Sequence, residues 1–135
     1  MDRIEFYKDR TRGIIKPTLF SDVAEKWAAD IANSGRSKDG KKLDHNKRSQ
    51  IRKFYDEVLR LNGNVKNNPR DWDVTLPYVN MLIAKAAYAR GRNSLVTDQF
   101  VSMIKDCVAQ VQEPKDLDVF ANFFEAFMGF YRQYD

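Results

Sequence analysis

The sequence predicts an all-α fold, a compact bundle of about five helices around a central apolar helix at residues 76–90. Three observations lead there. Strand-type alternation persists nowhere, and there is no internal repeat or low-complexity tract. Several segments repeat apolar residues at the 3.6-residue helical period. Finally, Leu76–Ala89 carries one charge, Lys85, and is apolar on two sides: Leu76, Val79, Ile83, Ala86 and Ala87 on one, Tyr78, Met81, Leu82 and Ala89 on the other. A helix that is apolar most of the way round belongs in a core. Pro77, Asn80 and Lys85 leave this one too short and too interrupted to span a bilayer.

Taken in order, residues 1–18 mix charges with Ile4, Phe6, Tyr7, Ile14 and Ile15, and Gly13 and Pro17 break any helix. They read as an N-terminal arm, docked or partly flexible, ahead of a single helical domain at 19–135. The first helix, Phe20–Asn33, has Ser21 as its cap and Phe20, Val23, Ala24, Trp27, Ala28 and Ile31 in period. Residues 34–46 form a basic, glycine-containing loop with no Pro or aromatic residue to fix it, so mobility is expected.

The second helix, Asn46–Asn62, shows the cleanest amphipathic pattern, with Ile51, Phe54, Tyr55, Val58 and Leu59 on one face. Asp44 or Asn46 is available as its cap, and Gly63 ends it. A linker, 63–75, turns at Asn68-Pro69 and is anchored by Trp72. Thr75 caps the central helix, Pro77 falls in its first turn, and Gly91 suits a left-handed residue after its end. Ser94–Gln112 is the fourth helix and Asp116–Tyr134 the fifth, with Pro114 between them. On the fifth, Leu117, Phe120, Phe124, Phe127, Tyr131 and Tyr134 make one stripe, while Phe123 and Phe130 point elsewhere. Those two are either a second part of a thick aromatic core or a protein interface, and we expect the interface.

A chain of 135 residues fits one domain and buries a core without disulfides. One Cys (Cys107, at an apolar position) and one His (His45) exclude the usual Cys/His zinc sites and argue against Ser/His/Asp or Cys/His catalysis. Neither a metal nor a cofactor is expected. The opening MDRIEFYKDR lacks a signal-peptide core, and with no transmembrane run the sequence reads as cytoplasmic.

The net charge of +4 is unevenly spread: residues 1–92 hold 20 Lys/Arg and 12 Asp/Glu, residues 93–135 hold 3 and 7. Residues 36–53 alone hold eight cations and two acids. That imbalance suggests different partners for the two halves, or simply a solvated face. Lys41, Lys42, Lys47, Arg48, Arg52 and Lys53 are the candidate phosphate contacts there, gathered at the positive end of the second helix. Lys85 and Arg92, seven residues apart, rise on one side of the third helix, although Lys85 also reads as a core-helix lysine reaching for water.

Ser49–Phe54 (SQIRKF) continuing to Glu57-Val58, then Lys85–Arg92 (KAAYARGR) after Leu76-Pro77, and finally Phe123–Tyr131 (FFEAFMGFY), occur in an order and spacing that resembles the small-subunit family of type III-A CRISPR effector complexes. The resemblance covers roughly residues 44–134. It implies a helical, non-catalytic subunit that stacks in several copies along a guide RNA–target RNA duplex, beside the other subunits of the Csm complex and further copies of itself. It turns Lys41, Lys42, Lys47, Arg48, Arg52, Lys53, Lys85, Arg90 and Arg92 into candidate RNA contacts, sequence-independent because phosphates carry no sequence. Two other readings stay open: a small helical DNA-binding protein, disfavoured by the long 63–75 linker, and a helical protein–protein adaptor that touches no nucleic acid.

Overall fold

The computed structural model describes residues 2–135; Met1 of the expected arm lies outside them. Five α-helices make the fold: α1 (Ala24–Gly35), α2 (Arg48–Asn67), α3 (Trp72–Gly91), α4 (Asp98–Val108) and α5 (Pro114–Tyr131). A two-stranded antiparallel ladder, β1 (Tyr7–Asp9) with β2 (Ile14–Ile15), is too short to have shown as alternation.

The central helix is α5, which corrects the expectation for residues 76–90. It packs against α1, α2 and the π-helical turn Leu19–Val23. Leu117, Phe120, Phe123, Phe124, Phe127 and Tyr131 have no exposed surface. The rings of Phe120, Phe124, Phe127 and Tyr131 run as a continuous series, with Phe120 stacked on Phe124 at 6.0 Å and Phe127 on Tyr131 at 5.2 Å. Phe123 therefore belongs to the monomer core and not to the protein interface expected from the sequence, while Phe130 is partly buried against that core. The physical reason is area. A buried Phe contributes roughly 1.5–3 kcal/mol, so a helix that buries four of them takes the centre ahead of one whose buried residues are Thr75, Val79, Leu82, Ala86 and Ala89. Helix α3 instead lies at the side, on α2 and α4. Val79, Leu82, Ala86 and Ala89 face in, while Val74, Tyr78, Met81 and Tyr88 stay 67, 51, 45 and 68% exposed.

The arm is part of the core. Ile4 and Phe6 are buried, and the Gln110 side chain serves their backbone as a neighbouring strand would. Its Oε1 accepts from Phe6 N (2.7 Å) and its Nε2 donates to Ile4 O (2.7 Å). Gly13, at φ +69°, turns the hairpin. Asp116 locks it. This fully buried carboxylate accepts from the Tyr7 hydroxyl, from Arg10 (3.2 Å) and from the backbone N–H groups of Gln112 and Glu113 (both 3.0 Å). It also completes a capping box with Glu113 at the start of α5.

The 34–46 loop is tied at both ends, against the mobility expected of it. Arg36 bridges Leu43, Ser37 N donates to Lys42 O (2.8 Å), and Leu43 is buried. Gly35 lies so close to the His45 carbonyl that a Cβ would meet it at 2.4 Å. Asn46 closes the loop in a left-handed conformation (φ 57°), and its amide is wholly buried. Its Nδ2 donates to Ile31 O (2.9 Å) and Thr97 Oγ1 (2.7 Å), and its Oδ1 accepts from Thr97 N (2.8 Å).

Helix ends also move. Helix α2 runs through Gly63 to Asn67 because Val65 adds a buried turn. The 63–75 linker thus shrinks to a short turn containing the 3₁₀ residues Pro69–Asp71, and α3 begins at Trp72 with Pro77 inside it. The long-linker objection to a DNA-binding helix pair therefore falls. Gly91 ends α3 without becoming the left-handed residue; Asn93 and Ser94 take that role at φ 54° and 52°.

Two outcomes follow. Asn46→Ala orphans Thr97 N–H, takes one of its donors from the Ile31 carbonyl, which keeps the Ser34 hydroxyl, and forces alanine into a left-handed φ, so it should cost about 2–4 kcal/mol in urea unfolding. Asn46→Gly, which accepts that φ, should cost less, and a loss below about 1 kcal/mol for Ala would show that the amide network contributes little. For Asp116, burial alone would raise its pKa. The hydrogen bonds from Tyr7, Gln112 N–H, Glu113 N–H and Arg10 outweigh that and hold it below the usual value. A depressed folded-state pKa gives stability that is complete above the unfolded aspartate value of about 3.9 and is lost as pH falls through the folded pKa. Thermal unfolding of Asp116→Asn should therefore be less stable at neutral pH and lose less on acidification than the parent; parallel curves would rule the carboxylate out.

Candidate nucleic-acid interface

Helices α2 and α3 are each 20 residues long and joined by a tight turn, so the chain doubles back and the start of α2 faces the end of α3. That brings the two distant segments SQIRKF and KAAYARGR together. Between them runs a groove of about 370 Å³. Its floor is Phe54, Leu82, Ala89 and Leu95, the first three nearly or fully buried. Lys53, Lys85 and Arg92 stand on its rim with Gln50, Glu57 and Tyr88.

Glu57 is the anion in this ring of cations. It accepts two hydrogen bonds from Arg60 (2.7 and 3.0 Å) and one from Lys85 Nζ (3.2 Å). The Arg60 hydrogen bond, helped by Lys85, overcomes partial burial and holds the Glu57 carboxyl down at about 2. Glu57 is thus a fixed negative charge at neutral pH. Lys85 does leave the helix for water, but it ends on a carboxylate. Among the described residues, Lys53 and Arg92 have no ion-pair partner, so the rim keeps two uncompensated cations.

The other predicted residues lie elsewhere. Lys41 and Lys42 are exposed on the tied loop, and Lys47 and Arg48 sit at the entry to α2. The anion expected at that helix end is supplied by the protein itself, since Arg48 N donates to the Asp135 carboxylate. Arg52 pairs loosely with Asp56 at 3.8 Å. Arg90 bonds Asp98 at the start of α4 and does not line the groove.

One groove residue escaped the sequence reading. Tyr88 is among the most exposed large side chains of the protein. A signal for it existed, because Tyr88 lies three residues after Lys85 and four before Arg92 and so shares their face. At the other end of the α2–α3 pair lies an open cleft of about 590 Å³ lined by Arg60, Asn64, Asn67, Asn68, Val74 and Tyr78. Among the described residues, no group of three His, Cys, Asp or Glu is placed to hold a metal ion, and no helix is long and apolar enough to cross a membrane.

No curated protein and no solved structure matches the chain. The Csm2 Type III-A family matches residues 19–135, which takes in all five helices and both walls of the groove and leaves out the arm. The chain belongs to the Csm2 Type III-A family, the structural subunits of the type III-A Csm complex.

Proposed function

We propose that this subunit is non-catalytic and binds RNA through the α2–α3 groove, gripping phosphates without reading sequence, while copies stack along the guide RNA–target RNA duplex. The observation behind this reading is the convergence of two segments distant in sequence on one groove whose rim carries Lys53, Lys85 and Arg92. Cations on a rigid helical frame suit phosphates, whose contacts position a strand but do not identify its bases. Gln50 is the one amide among the groove residues, far short of a base-edge reading set. Lys41, Lys42, Lys47, Arg48 and Arg52 extend the basic surface along the loop and the start of α2. The partners in this reading are guide CRISPR RNA, target RNA, the other Csm subunits and further copies of the chain.

Assembly needs a second surface, and the outer face of α3's first half supports that role. Val74, Pro77, Tyr78 and Met81 are all exposed there, an apolar patch no other helix covers. Another subunit of the complex covers it in this reading.

The RNA reading is tested by salt dependence. Replacing Lys53, Lys85 and Arg92 together by Met should flatten the slope of log K against log salt by about 2 for RNA of any sequence. Glu57→Gln should act oppositely and tighten binding, because it releases Lys85 and Arg60. An unchanged slope would place the RNA elsewhere, and equal affinity for duplex DNA would favour the DNA-binding alternative. The assembly reading is tested separately. Tyr78→Asp with Met81→Asp should leave the folded monomer intact by circular dichroism yet exclude it from the reconstituted complex; normal incorporation would remove α3 from the interface.

A further inference from the structure

We infer that Tyr88 is a stacking platform for one unpaired base of the RNA held in the groove, so that the site favours a single-stranded or locally opened strand over a closed duplex. The inference rests on the groove being the RNA surface and names the form of RNA it takes.

Four features meet at this residue. Its ring is 68% exposed, on a helix whose buried face lies elsewhere, so core packing does not account for it. The ring lines a groove whose floor, from Phe54, Leu82 and Ala89, is apolar, the surface a base prefers over water. Lys85 and Arg92, on the same helix face, flank it one turn to either side, and Lys53 stands across the groove. Glu57 is the groove's one carboxylate and is already bonded by Arg60 and Lys85, leaving Lys53 and Arg92 for a phosphate chain. Cations spaced along a groove with an aromatic face between them are the arrangement that takes a single strand, its backbone on the charges and a base on the ring. A protein partner would also cover an exposed Tyr, but the charge around this one fits a polyanion. Every base has a π-face, so the contact adds affinity without sequence preference. A base inside a duplex is already stacked on both sides and has no face to offer, which gives the preference for open strands.

The test uses the full chain and an oligoribonucleotide carrying 2-aminopurine, alone and annealed to its complement. Wild type should quench the 2-aminopurine of the single strand and bind it more tightly than the duplex. Tyr88→Ala should weaken single-strand binding roughly 5- to 150-fold, abolish the quenching and leave the salt slope unchanged, because no charge is lost. Tyr88→Phe should restore both affinity and quenching. Single-strand affinity and quenching that survive in Tyr88→Ala would overturn the inference. So would a Tyr88→Ala protein that binds RNA normally but no longer self-associates, since another copy would then cover the ring. Failure of the groove itself looks different: the Lys53, Lys85 and Arg92 variants keep the parental salt slope, whatever Tyr88 does.

Discussion

The buried amide of Asn46 is the junction on which the arrangement of the helices depends. Its side chain holds the end of α1 through Ile31 O and the start of α4 through both groups of Thr97. Its backbone continues the work: the N–H donates to Leu95 O (3.0 Å), and the carbonyl accepts from the Tyr131 hydroxyl (2.6 Å) at the end of α5. Three helices and the α3–α4 connection are therefore referenced to one residue, and α2 starts two residues later. Asparagine suits the place on two counts. It tolerates a left-handed φ, and its amide offers donors and an acceptor together. Aspartate would bring an acceptor-only charge against carbonyls in a dry site, a costly exchange.

Fixing the start of α2 in this way has a consequence at the groove. The positions of Lys53 and Phe54 relative to Lys85 and Arg92 depend on how α2 and α3, each 20 residues long, are registered. Asn46 and the Leu95 backbone anchor the two ends that matter. A phosphate-binding surface built on helices holds its charges at set spacings even when empty, so less ordering is needed when a strand arrives. The apparent surplus of apolar residues on α3 then acquires a meaning. In the proposed reading the inner apolar residues of α3 meet the bundle, and Val74, Tyr78 and Met81 on its outer side serve another subunit.

The sequence made five helices legible, together with the aromatic seam of α5, because both follow from periodicity. It also made the two segments of the groove legible, though as separate motifs; that they meet is a property of the turn at Pro69–Asp71, and the expected 63–75 linker hid it. The single charge in 76–89 argues for burial, yet charge is also sparse on a surface that another molecule covers, and hydropathy does not separate the two. Phe123 is the opposite case, an expected interface residue that is fully buried. One helix face seemed enough for a core, but α5 has neighbours on several sides and buries nearly its whole circumference. The arm was hardest to read. Ile4-Glu5-Phe6 alternates for only three residues, and what fixes it, Gln110 and Asp116, lies more than a hundred positions away.

The placement of Glu57 closes the electrostatic argument. A groove lined only by cations would push its own walls apart, since Lys53, Lys85, Arg60 and Arg92 come from facing helices. One carboxylate between them relieves this. Glu57 reaches from α2 to Lys85 on α3 and so ties the two walls while the groove is empty. Because it is partly exposed, the bond is worth little as a stabilising ion pair, of the order of tenths of a kcal/mol. That weakness suits a binding site. In the proposed reading Lys85 exchanges carboxylate for phosphate at small cost, whereas Arg10 could not be taken from the fully buried Asp116 so cheaply, because the carboxylate would lose a partner inside the fold. The contact that holds the arm is thus anchored on a buried carboxylate, and the weaker one lies on the groove proposed to take a phosphate.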